Sequence, residues 1–143
     1  MTVEADVFGA LKYRIVVDED GTRRYHNSAG DLHREEGPAV IFTDGGHAWF
    51  YSGELHRIDG PAVKYTDGYV AWWQNGELHR TDGPAVVFPD GRTEWRQNGK
   101  LHREDGPAIE YANGQTWWFL HGQLCLEGGL TANLKPTDTH CDY

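Results

Sequence analysis

Four times along the chain a histidine is followed directly by an arginine, and two residues later by a carboxylate. The sets are His33, Arg34 and Glu36; His56, Arg57 and Asp59; His79, Arg80 and Asp82; His102, Arg103 and Asp105. An imidazole beside a carboxylate is the raw material of acid–base catalysis, and the guanidinium adds an anchor for phosphate. Yet a catalytic centre requires one constellation, and here the same trio recurs in four equivalent copies. The expectation is therefore a structural ladder, with the acid accepting backbone N–H bonds in a turn and pairing with the arginine. A metal array is disfavoured by distance. On paired strands successive histidines would stand about 9–10 Å apart, whereas each zinc ligand sits about 2 Å from its ion. The chain is read as having no catalytic residues, no metal site and no cofactor.

Each trio belongs to a longer phrase: LHREEGPAV, LHRIDGPAV, LHRTDGPAV and LHREDGPAI, beginning at Leu32, Leu55, Leu78 and Leu101. The period is 23 residues without slippage. A fixed period of that size marks a repeat architecture. Within each phrase Gly-Pro-Ala is expected to turn the chain into a strand, with glycine allowing a strained turn and proline opening the strand. Next comes Asp44-Gly45, Asp67-Gly68, Asp90-Gly91 or Asn113-Gly114. These dipeptides suit a two-residue hairpin turn with both central residues at positive φ. An aromatic strand follows, then a second turn at Gly53, Gly76, Gly99 or Gly122.

The resulting fold class is all-β: a single-sheet ribbon or trough of about five tandem antiparallel hairpins, roughly 45–50 Å long on strand spacing. One repeat domain spans 1–143. It divides into an N-terminal cap (1–12), a divergent first unit (13–30), four regular units (31–122) and a C-terminal cap (123–143). The tail from Leu126, with Leu130 and Leu134, is expected to fold back over the last sheet edge in irregular or short helical form.

Period-two reading assigns the repeated core to the column Trp49, Trp72, Trp95 and Trp118, with Tyr25 in the first unit, together with the Val/Ile and Phe/Tyr columns of the preceding strand. The columns that vary are Ala48/Ala71/Glu94/Trp117, Phe50/Trp73/Arg96/Phe119 and Ile41/Lys64/Val87/Glu110. Phe50, Trp73, Arg96, Trp117 and Phe119 are expected on the opposite face, where exposed aromatics beside an arginine resemble a protein-binding hot spot.

Composition narrows the alternatives. The net charge of −9 disfavours nucleic-acid backbones and anionic membranes, since both need a basic face. No stretch has the length of apolar sequence that crosses a membrane, and the start lacks the pattern of a signal peptide. A cytoplasmic location is expected. The two cysteines, Cys125 and Cys141, are too few for a disulfide framework and are expected as free thiols, with a pair tying down the tail as the alternative.

The period, the NGK/NGE turns followed by histidine and glycine, and the later DG together resemble MORN repeats. The closest likeness is to MORN-like repeat proteins of bacteria and phages, over about Tyr13–Gly122 and most clearly in WRQNGKLHREDGPAIEYANGQTWWFLHG. The chain departs from the family in having HRxDGP in place of HGxG. The resemblance implies a hairpin-repeat fold and a non-enzymatic, protein-binding role, with a phage-encoded inhibitor of a host defence or host enzyme as one instance. The alternative is a structural scaffold that homodimerises through the aromatic face.

Overall fold

A computed structural model of the chain describes residues 2–5 and 11–128. Among these residues every regular element is a strand. The backbone forms one long antiparallel sheet of twelve strands, with short two-stranded ribbons beside it. The sheet stays open: its ends are the strands Thr2–Ala5 and Gln123–Gly128.

Each unit supplies two hairpins in succession. In the unit after the first phrase, Val40–Ile41 pairs with His47–Ala48 in the main sheet. Phe50–Tyr51 then pairs with Glu54–Leu55 as a ribbon. Trp49 is the corner between them. Its N–H donates to the Ala62 carbonyl at 2.6 Å and its own carbonyl accepts from His56 N–H at 3.1 Å. Trp72 and Trp95 repeat both bonds, to Ala85 and His79 and to Ala108 and His102. The corner alanines Ala39, Ala62, Ala85 and Ala108 are fully buried, which explains the small residue after proline. Ribbons of neighbouring units are also joined, as by Gly76 N–H to the Leu55 carbonyl at 3.0 Å and Arg57 N–H to the Trp73 carbonyl at 2.9 Å.

The two turns differ in kind. At Asp44-Gly45 only the glycine has positive φ, and Gly45 N–H closes onto the Phe42 carbonyl. This is a three-residue loop, a tight turn followed by a left-handed residue. Asp44 accepts the Gly46 N–H at 2.8 Å, locking the loop from its side chain. The paired positive-φ geometry expected at Asp-Gly occurs instead in the ribbons, at Ser52-Gly53, Asn75-Gly76 and Asn98-Gly99, and at His121-Gly122 between the last two strands of the main sheet.

The core lies between sheet and ribbons, and it corrects the expected assignment of faces. Val40, Ala48, Val63, Ala71 and Val86 form its buried centre. Leu32, Phe50, Leu55, Trp73 and Leu78 pack against it from the ribbon side. Alternation therefore sends Ala48 and Phe50 inward and turns Trp49 away. Trp49, Trp72 and Trp95 are half-buried, with only Trp118 and Tyr25 of that column buried. A second cluster of Tyr13, Ile15, Tyr25 and Ala39 closes the N-terminal end.

The termini continue the sheet. Thr2–Ala5 pairs with Leu11–Val17, which begins before the expected first unit. Gln123–Gly128 pairs along Thr116–Leu120 as a full strand, so residues 123–128 are sheet and not an irregular cap. The expected fold-back at Leu130 and Leu134 lies outside the described residues. Cys125 is disulfide-bonded, contrary to the expected free thiol; Cys141 lies outside the described residues.

Candidate functional site

The HRxDGPA loops connect each ribbon to the next main-sheet strand, and their side chains are tied into internal contacts. The imidazole Nδ1 atoms of His33, His56, His79 and His102 accept backbone N–H bonds from Ser52, Asn75, Asn98 and His121 at 2.9, 3.0, 3.2 and 3.1 Å. Those donors are the left-handed residues of the following ribbon turns. A backbone N–H can only donate, so Nδ1 is the acceptor in these bonds; at His79 the same nitrogen also lies 3.0 Å from the Asn98 Oδ1. Each histidine is thus the cap of its neighbour's turn.

The arginines stack on the corner rings. The guanidinium carbons of Arg34, Arg57, Arg80 and Arg103 lie 3.9, 4.1, 4.0 and 4.0 Å from the ring centres of Tyr25, Trp49, Trp72 and Trp95. At that range the cation meets the negative face of the ring. Nε donates to Asp59, Asp82 and Asp105 at 2.8, 2.8 and 3.0 Å in the last three loops. Nη1 reaches the carbonyls of Pro38, Pro61, Pro84 and Pro107. The Arg57 hydrogen bond, and then its charge, holds Asp59 below the usual carboxylate range; Arg80 does the same to Asp82. Glu36, at the equivalent place in the first loop, instead bonds Lys12 and accepts from the Tyr13 hydroxyl at 3.2 Å.

The glycine before proline has a different reason from the strained turn expected of it. None of Gly37, Gly60, Gly83 and Gly106 has positive φ. A Cβ on Gly83 or Gly106 would stand 2.6 Å from the guanidinium carbon of Arg80 or Arg103. Glycine leaves the arginine room to lie against the backbone there.

The predicted binding residues are brought to a different surface from the one expected. Phe50 and Trp73 are half-buried and pack on the core. Trp117 and Phe119 are also half-buried. Arg96, in the same column as Phe50 and Trp73, turns to a carboxylate inside the fold: its Nε donates to Glu94 at 2.7 Å. Glu94 itself is buried where the preceding units have Ala48 and Ala71, and Arg92 approaches its other oxygen at 3.5 Å. Variation in these two columns is thus a change of core chemistry.

Open clefts lie elsewhere, between successive loops. One of about 550 Å³ has Ile58 and Asp59 on one wall, Thr81 and Asp82 on the other, and Trp72 and Gln74 between. A second, of about 390 Å³, uses Thr81 and Asp82 again, facing Glu104 and Asp105 over Trp95 and Gln97. Because one loop walls both clefts, they form a row. Ile58 is 80% exposed and Tyr51, at the position of Gln74, is 52% exposed. Ile58 and Thr81 lie in loops, where strand alternation assigns no face, and Tyr51, Gln74 and Gln97 lie on the ribbon strands next to the aromatic columns. The available signal was the letter x of HRxDGP, which reads Glu35, Ile58, Thr81 and Glu104 inside an otherwise constant phrase.

Among the described residues no three His, Cys, Asp or Glu side chains group as a metal site needs. No helix among them is long and apolar enough to cross a membrane. The chain matches no family model and no curated protein.

Proposed function

We propose that this chain is a non-enzymatic, MORN-like repeat module that binds another protein across the row of clefts between its HRxDGPA loops. One observation carries the reading. The constant residues of each phrase are occupied in internal bonds, while among the positions that change Glu35, Ile58, Thr81, Glu104 and Tyr51 are exposed and the half-buried Gln74 and Gln97 line the clefts. Repeat proteins place selectivity on such a surface, because the scaffold beneath it tolerates change. Ile58, a large apolar side chain at a loop tip, is the natural anchor. Against catalysis stands the engagement of all four imidazole Nδ1 atoms with backbone donors. An inhibitor of a host enzyme would be one form of such a module. The scaffold alternative is favoured by the open sheet ends and not by the aromatic face, which is half-buried.

The test is affinity capture with the intact chain, Ile58→Glu and Tyr51→Ala. A partner held by the wild type and released by both variants, each melting normally, supports the reading. Retention of the partner by both variants would sink it, and a concentration-dependent dimer by light scattering with no captured partner would favour the scaffold. A cytoplasmic home is proposed with this function, and it requires Cys125 to be reduced there, because cytosolic thiols are kept reduced. Alkylation of the protein in intact cells followed by mass spectrometry decides that point: modified Cys125 fits the cytoplasm, protected Cys125 an oxidising compartment.

A further inference from the structure

The loops are close to neutral by residue count, but they do not present that balance to solvent. Arg57, Arg80 and Arg103 lie flat on their rings, with side chains 23, 25 and 20% exposed. Their partners Asp59, Asp82 and Asp105 stand 81, 82 and 83% exposed. Each Asp accepts the arginine Nε on Oδ1, and the carboxylate as a whole stays mostly in solvent. Stacking thus sinks the positive charge beneath the surface and leaves the negative charge at the cleft mouth, where Glu104 adds to it. A ligand meeting the row encounters carboxylates at a regular pitch.

That pitch selects a backbone shape. One unit adds two main-sheet strands, so equivalent carboxylates recur at about 9–10 Å. An extended chain crosses that distance in about three residues, but a β-strand would then alternate its side chains between faces. A polyproline II helix advances about 3.1 Å per residue with three residues per turn, so every third side chain points the same way at about 9.3 Å. Its carbonyls are free of internal hydrogen bonds and require donors. Gln74 and Gln97 line the clefts with side-chain amides that can donate, and His79 lines the first cleft as well. Trp72 and Trp95 also line the clefts, half-buried and each with Arg80 or Arg103 stacked on one ring face, and proline-rich segments dock against aromatic side chains.

We propose that the row of clefts binds a polyproline II segment bearing Arg or Lys at every third position, each cation meeting the outward carboxylates of one loop. This rests on the cleft row being the binding surface, and it names the partner's chemistry. The test uses a peptide of four Arg-Pro-Pro repeats, a composition isomer with its arginines in adjacent pairs, and an acidic analogue with Glu for Arg. Calorimetric titration is expected to show the Arg-Pro-Pro peptide binding about tenfold more tightly than the isomer, the gain of a few aligned surface ion pairs. The acidic analogue should be silent. Asp59→Asn with Asp82→Asn keeps the oxygen that accepts from arginine and removes only the charge. This variant should lose about tenfold in affinity, whereas Asp67→Asn with Asp90→Asn, in the hairpin turns, should bind as the wild type does. Equal binding of the two basic peptides, or full affinity in a folded Asp59/Asp82 variant, would overturn the proposal. If every peptide is silent while Ile58→Glu still releases a captured protein, the polyproline reading fails and the binding module stands.

Discussion

Glu94 and Arg96 show how much one unit can change without changing the fold. In the preceding unit the same places hold Ala71 and Trp73, which join the apolar core. Here a buried carboxylate is matched by Arg96 Nε at 2.7 Å, and the arginine also donates to the Gly99 carbonyl at 2.9 Å. A pair of this kind is costly to break and cheap to replace whole. Glu94→Ala alone is expected to lower stability by about 2 kcal/mol, below the roughly 3–5 kcal/mol of breaking a fully buried pair because Arg96 keeps some water contact. Adding Arg96→Trp should restore most of the loss, as read by urea denaturation. His102 carries a different liability. Burial, and then the nearby charge of His121, push its pKa below the ordinary histidine value. At pH above about 6.5 both folded and unfolded states are neutral at this residue and nothing is lost. As pH falls below that point the unfolded chain takes up a proton that the folded chain refuses, so stability drops. His102→Gln keeps an acceptor for the His121 N–H and cannot titrate. Its melting temperature should therefore fall less than that of the wild type between pH 7 and about pH 5.5.

The hairpin is the element through which these side chains act together. Arginine on the corner ring, aspartate on the arginine, and glycine against the guanidinium form one contact set, repeated in the last three loops. Removing any member disturbs the others. Gly83→Ala places a methyl 2.6 Å from the Arg80 guanidinium carbon, and Arg80 must shift from its place on Trp72 to admit it. The expected cost is about 1–2 kcal/mol, from the lost cation–π contact and the strain of repacking. Gly37→Ala should cost less, because its nearest approach is 3.1 Å. Thermal melts of the two variants side by side test the order; equal losses would mean that the backbone, and not the arginine, requires glycine. Between elements, Thr66 donates to Asp44 at 2.8 Å, tying the Asp-Gly turns of neighbouring units together.

At the scale of the molecule, stability passes from unit to unit. Each histidine caps a turn 19 residues later, and each ribbon bonds the one before it. No unit closes its own core, since the apolar cluster runs across Val40, Val63 and Val86 from three phrases. Nearest-neighbour coupling of this kind makes length negotiable. Deleting residues 78–100, one full period, joins Glu77 to Leu101 and preserves every phrase-to-turn contact type. The shortened chain should keep its strand circular dichroism, melt at a lower temperature, and be shorter by about 9–10 Å in small-angle scattering. Loss of cooperative unfolding would show that the units do not act as interchangeable neighbours.

The sequence by itself determined the repeat, its period, the hairpins and their antiparallel order, because turn chemistry and the 23-residue spacing are local properties written in each unit. It also pointed to Asp59, Asp82 and Asp105 as arginine partners, since those contacts span only two residues. What it did not determine was which way each column faces, and period-two reading assigns the tryptophans to the core where the fold places Phe50 and Trp73. Alternation says that Trp49 and Phe50 point to opposite sides, and hydrophobicity gives no preference between two aromatics. The bend at the tryptophan settles the matter. Once the ribbon folds over the sheet, the inner side has room for Ala48 and Phe50, and the outer ring is covered by an arginine from the next phrase. The histidine's role was hidden for a similar reason, as its partner lies 19 residues on in another turn. The arginine is the clearest case. Its charge can be counted in the sequence, but whether solvent meets that charge or the aspartate beside it depends on a ring eight residues earlier, and only folding brings the two together.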